Sequence, residues 1–92
     1  MDIATIRHDS LQKFAQTGQS NDLPAGLPDR LRNMLAYLVA IEVDGELAIP
    51  PKFAAQPPSK RDAWSLVVSE NWRLTVHSIK AGVVEVELQE FR

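Results

Sequence analysis

The sequence predicts a small α+β domain in which two N-terminal helices pack on one face of a mainly antiparallel, twisted sheet. Three observations carry this expectation. Residues 63–92 (AWSLVVSENWRLTVHSIKAGVVEVELQEFR) alternate apolar and polar side chains in three runs separated by short turn segments. Two earlier stretches repeat apolar residues at helical spacing, and an alternating stretch opens the chain. The expected strands lie near 2–7, 63–68, 72–79 and 83–91, and the helices near 10–17 and 28–41.

The opening DIATIR sets Ile3 and Thr5 on one side and Ala4 and Ile6 on the other, as a short strand requires. In the first helix Asp9 or Ser10 is suited to the cap, Leu11, Phe14 and Ala15 share a face, and Gly18 supplies the stop. Residues 19–26 (QSNDLPAG) are polar and hold Pro24 and Gly26, which marks a surface loop. The second helix has the clearest periodicity. Leu27, Leu31, Met34, Leu35, Leu38 and Ile41 form one stripe, and Pro28 and Asp29 suit its first turn. Such a stripe is read as a core face directed at the sheet.

Residues 42–62 look irregular. Val43-Asp44-Gly45 has turn composition, and the pairs Pro50-Pro51 and Pro57-Pro58 exclude a long helix or a central strand. Lys52, Lys60 and Arg61 place positive charge on this loop, where they are candidates for contacts to phosphate.

In the sheet, a turn at Ser69-Glu70-Asn71 would set Val68 opposite Trp72, Leu66 opposite Leu74 and Trp64 opposite Val76. A Lys80-Ala81-Gly82 loop between Ile79 and Val83 would set Val76 opposite Val86 and Leu74 opposite Leu88. Trp64, Leu66, Val68, Trp72, Leu74, Val76, Val84, Val86 and Leu88 would then line the core. Ser65, Val67, Arg73, Thr75, His77, Glu85, Glu87, Gln89 and Phe91 would share the other face. On that face His77 lies opposite Glu85, a pairing able to do acid–base work or simply to decorate a solvated sheet, with Arg73 further along the same strand.

Composition limits the chemistry. The chain has 92 residues, is 45% hydrophobic and 24% charged, and has a formal net charge of −2, so any nucleic-acid contact must come from a local patch rather than an overall positive field. Absence of cysteine excludes disulfides and thiolate ligands or nucleophiles. With His8 and His77 the only histidines and no Gly-rich phosphate loop, metal-ligand spacing or nucleophile elbow, no metal or cofactor is expected. Asp2, Arg7, His8, Asp9 and Lys13 interrupt the start, so neither a signal peptide nor a membrane span is expected, and a cytoplasmic location is.

Asn71-Trp72-Arg73-Leu74-Thr75, preceded by Trp64-Ser65-Leu66 and followed by a hairpin and a Val-Glu-Val run, resembles the HigB branch of the RelE/ParE toxin superfamily. Ile6-Arg7-His8, Leu11-Gln12-Lys13-Phe14 with Thr17-Gly18, Arg30-Leu31-Arg32 and Pro50-Pro51 extend the likeness over essentially the whole of residues 1–92, read as one RelE-like domain. The resemblance implies the toxin of a type II toxin–antitoxin module. Such a toxin is a metal-independent mRNA interferase that cuts mRNA on the ribosome and is neutralised by a helix-turn-helix antitoxin.

In such a site a base activates the ribose 2′-hydroxyl and a cation stabilises the phosphorane-like transition state. By resemblance Arg73 contacts phosphate. The family ends in Asp-Tyr-His, whereas this chain ends in Glu90-Phe91-Arg92, and the family's loop His and Lys align with Ala54 and Pro57. Under the catalytic reading Arg73 and Arg92 stabilise charge, His77 or Glu90 moves the proton, and Lys52, Lys60, Arg61 and Phe91 contact RNA. Under the alternative the chain keeps the fold and binds an antitoxin or another partner without cleaving RNA.

Overall fold

The computed structural model describes residues 1–21, 23–47, 53–56 and 63–90, with the backbone alone at Asp44. Its elements are β1 (Asp2–Ile6), α1 (Asp9–Thr17), α2 (Leu27–Ala40), a 3₁₀ turn (Asp44–Leu47), β2 (Ala63–Ser69), β3 (Trp72–Lys80) and β4 (Val83–Glu90). The sheet order is β1-β4-β3-β2. β2, β3 and β4 form an antiparallel meander, and β4 lies parallel to β1. That parallel pair needs a long crossover, which the helices and the meander provide. The expected α+β class is therefore observed, with a mixed four-stranded sheet.

Both helices sit on one side. Leu11 and Phe14 of α1, and Leu27, Leu31, Met34 and Leu38 of α2, are buried against Trp64, Leu66, Val68, Leu74, Val76, Val84, Val86 and Leu88 of the sheet. Each such aliphatic side chain contributes about 1.5–3 kcal/mol by leaving water. Leu35, at the margin of the predicted stripe, is only half-buried.

Three bulges alter the predicted pairing. In β1 the register shifts between Ile3 and Thr5, so Ile3 opposes Val84 and Ile6 opposes Val86. Strict alternation would have put these isoleucines on opposite faces, and the extra residue, Ala4, lets both pack on the core. Between β2 and β3, Leu66 faces Leu74 and Trp64 faces Val76 as expected, but Trp72 faces Ser69 rather than Val68. Neither Glu70 nor Asn71 takes a positive φ, so their turn lacks the geometry that matches strand twist, and the bulge absorbs the mismatch.

At the other hairpin Lys80 pairs with Val83 across a two-residue Ala81-Gly82 turn, not the three-residue loop expected, and Ile79 becomes the extra, exposed residue. Gly82, at φ 77°, makes the tight turn possible. The inner pairs Val76–Val86 and Leu74–Leu88 stand as predicted.

Helix ends also differ by a residue or so. His8, rather than Asp9 or Ser10, caps α1: its Nδ1 accepts the Leu11 N–H at 3.2 Å. α2 ends under the N-terminal ammonium of Met1, which donates to the carbonyls of Leu38 (3.0 Å), Val39 (2.9 Å) and Ile41. A positive charge there meets the negative end of the helix dipole.

Past α2 the predicted turn is a 3₁₀ helix that buries Leu47 completely. The Glu46 carboxylate accepts the N–H groups of Glu42 (2.8 Å) and Val43 (3.2 Å). These backbone bonds hold its carboxyl below the ordinary carboxylate value. Residues 53–56 then lie along β2, with the Val67 N–H donating to the Phe53 carbonyl at 2.8 Å and a bridge between Gln56 and Ser65. Phe53 and Ala54 both take left-handed backbone, at φ 53° and 51°.

Candidate functional site

With the helices on one side, the other side of the sheet presents a polar surface whose layout follows from register. One cross-strand row runs Thr5, Glu85, His77 and Ala63 over β1, β4, β3 and β2. The next sets Glu87 against Thr75 and Ser65, with Arg7 brought alongside by its backbone bond to the Val86 carbonyl at 2.8 Å. The third sets Gln89 against Arg73 and Val67. Buried residues alternate with these on β2 and β4, which is why the polar members share one face.

Arg73 is half-buried and folded back on its own hairpin. Its Nη1 donates to the carbonyls of Ser69 (2.6 Å), Trp72 (3.1 Å) and, more weakly, Glu70 (3.5 Å). The guanidinium thus staples the β2–β3 turn and has its direction fixed by it.

His77 does stand opposite Glu85, as the sequence predicts. The Glu85 carboxylate, however, is in an ion pair with Arg7 Nε, whose side chain is 63% exposed while that of Glu85 is 18% exposed. Arg7 was not among the residues expected at the site. The sequence places β1 in the domain but does not say which strand it joins. Its partner is β4, and that pairing delivers the arginine to this face.

Sequence alternation sets Arg73 and His77 on one face, and so does the structure. They are four residues apart on one strand, roughly 13 Å at strand rise, so the two side chains mark different ends of the surface. Glu90 pairs with Trp72, is exposed, and continues the alternation of Leu88, so its place in the register is on the opposite face of the sheet from Arg73. Trp72 itself lies at the rim of the core, half-buried, with the His8 ring edge-on at 6.4 Å. Lys52, Lys60, Arg61, Phe91 and Arg92, together with Pro57, lie outside the described residues.

A hydrogen-bonded chain crosses the centre of the face. Thr75 Oγ1 donates to Gln89 Oε1 at 3.5 Å, and Gln89 Nε2 donates to Glu87 Oε1 at 3.0 Å. The surface therefore offers cations at its flanks, Arg7 and Arg73, and an acceptor carboxylate between them. Among the described residues no group of His, Asp and Glu is arranged to hold a metal ion. None of their helices is long and apolar enough to cross a membrane.

On the other side of the molecule α1, α2 and β1 border a groove of about 620 Å³, lined by Ile3, Ile6, Phe14, Leu35 and Val39 and charged only at Arg32. Its apolar walls suit packing rather than proton transfer. No family model and no curated protein matches the chain.

Proposed function

We propose that the chain is the toxin of a type II toxin–antitoxin module, a RelE-like domain that acts on mRNA in the cytoplasm without a metal and is neutralised by a helix-turn-helix antitoxin. The observation that carries this reading is Arg73. It lies on the polar face of the sheet opposite the helices, in the Asn71–Thr75 segment where the resemblance expects a phosphate-contacting arginine, and three backbone carbonyls hold its guanidinium. A cation held before substrate arrives needs little reorganisation to stabilise charge on phosphate. Element order, with two helices on one side of the sheet and the meander at the end of the chain, supports the same reading.

A second reading has its own support. Glu85 is engaged by Arg7, Glu90 alternates onto the face opposite that of Arg73, and His77 lies far along the strand from Arg73, which favours a reading that asks for no joined acid–base set. A relative that binds an antitoxin or another partner without cleaving RNA would look the same.

Induced expression in a bacterial host, with growth followed and mRNA 5′ ends mapped, separates the two. Growth arrest with new 5′ ends inside translated codons supports the ribonuclease. Unaltered mRNA together with tight antitoxin binding refutes it in favour of the second reading. Unaltered growth and mRNA with no antitoxin binding refutes both.

A further inference from the structure

Carboxylates on a surface meant for RNA weaken phosphate binding, so Glu87 needs a reason to stand between two arginines. Its environment supplies one. Gln89 Nε2 donates to Glu87 Oε1 at 3.0 Å, and Gln89 is itself steadied by the Thr75 hydroxyl at 3.5 Å. Glu87 is half-buried, and among the described residues it accepts no other hydrogen bond. One oxygen is thus anchored while the other keeps its acceptor capacity.

We propose that Glu87 is a base-reading residue of this face, selecting cytosine over uracil in single-stranded RNA whose phosphates lie toward Arg7 and Arg73. This inference rests on the reading of the face as an RNA surface. The two pyrimidines have nearly the same shape and differ at C4. The 4-amino group of cytosine donates to a carboxylate, whereas the 4-carbonyl of uracil sets one acceptor against another. The carboxylate acts as much by rejecting uracil as by holding cytosine.

Glu85 makes a natural control. It lies on the same strand and face and carries the same charge, but Arg7 occupies it. Removing either carboxylate relieves repulsion of phosphate; removing Glu87 alone erases the choice of base.

The experiment is fluorescence anisotropy of the whole chain with labelled five-nucleotide oligocytidylate and oligouridylate at one salt concentration, for the native protein, Glu87→Gln and Glu85→Gln. Thermal melting of all three shows that they are folded. The native protein is expected to bind the cytidine oligomer about fivefold tighter, near the value of one good hydrogen bond. Glu87→Gln should bind both equally, chiefly by gaining affinity for uridine, and Glu85→Gln should keep the fivefold ratio. Equal native binding of the two oligomers, or a cytidine preference that survives Glu87→Gln, overturns the role of Glu87 while leaving RNA binding in place. No binding of either oligomer overturns the RNA reading of the face and this inference with it.

Discussion

Replacing Arg73 tests stability and function together. Arg73→Ala removes a guanidinium whose Nη1 donates to the carbonyls of Ser69, Trp72 and Glu70 at 2.6, 3.1 and 3.5 Å. A hydrogen bond from a charged donor contributes about 1.5–3 kcal/mol when well made. Here the site is half-buried, the longest contact is marginal, and water can serve carbonyls at a turn, so the expected loss is about 1–2 kcal/mol. In urea this lowers the midpoint with the slope unchanged, because the surface exposed on unfolding stays the same.

Under the proposed function the same substitution removes one phosphate contact. The slope of log affinity against log salt for a single-stranded oligonucleotide should fall by about 0.7. Arg73→Lys keeps the charge without the planar fork, so it should recover most of the salt slope and little of the stability. Equilibrium urea unfolding and anisotropy across a salt series read the two effects separately. An Arg73→Ala protein with native stability and native salt slope would refute both the staple and the phosphate contact.

Other substitutions test the scaffold. His8→Ala should cost about 1 kcal/mol by removing the cap of α1, while His8→Asn, which also offers an acceptor, should cost much less in the same urea assay. Ala54→Gly should stabilise by about 0.5–1 kcal/mol, since a left-handed backbone strains alanine and not glycine; an unchanged midpoint would refute the strain. Glu46 titrates below its ordinary value of 4.5 because the Glu42 and Val43 N–H groups bind the ionised form. Its stabilisation is therefore complete above the unfolded value and lost as pH falls through the lower folded value. Thermal melts from pH 6 down to pH 3 should show Glu46→Gln losing less stability than the native protein; parallel curves would refute the linkage.

Much of the core was legible because its signal is periodic. Leu27, Leu31, Met34 and Leu38, with Leu74 and Val76 of β3 and Val84, Val86 and Leu88 of β4, are buried as their spacing predicts, whereas Trp72 stays half-buried at the rim. The register of Val76 with Val86 and Leu74 with Leu88 followed from segregating apolar from charged side chains. What could not be read were departures from period: the extra residues Ala4, Val68 and Ile79 shift pairing locally without breaking the composition of the strands. Leu47 was missed since one buried leucine in a short 3₁₀ turn has no repeat to announce it. At the candidate site Arg73, His77 and Glu85 were placed by alternation. Arg7 was not, because its position depends on a parallel pairing between the two ends of the chain, and nothing local in the opening strand specifies that neighbour.

If the sheet face opposite the helices is the RNA surface, that face should respond first to added RNA. An NMR titration of the isotopically labelled chain with a short single-stranded oligoribonucleotide reads that response residue by residue. Amide shifts should concentrate at Thr75, Glu87, Gln89 and Arg7 and fade as salt rises. Shifts confined to the groove between α1 and α2, or no shifts at low salt, would contradict it.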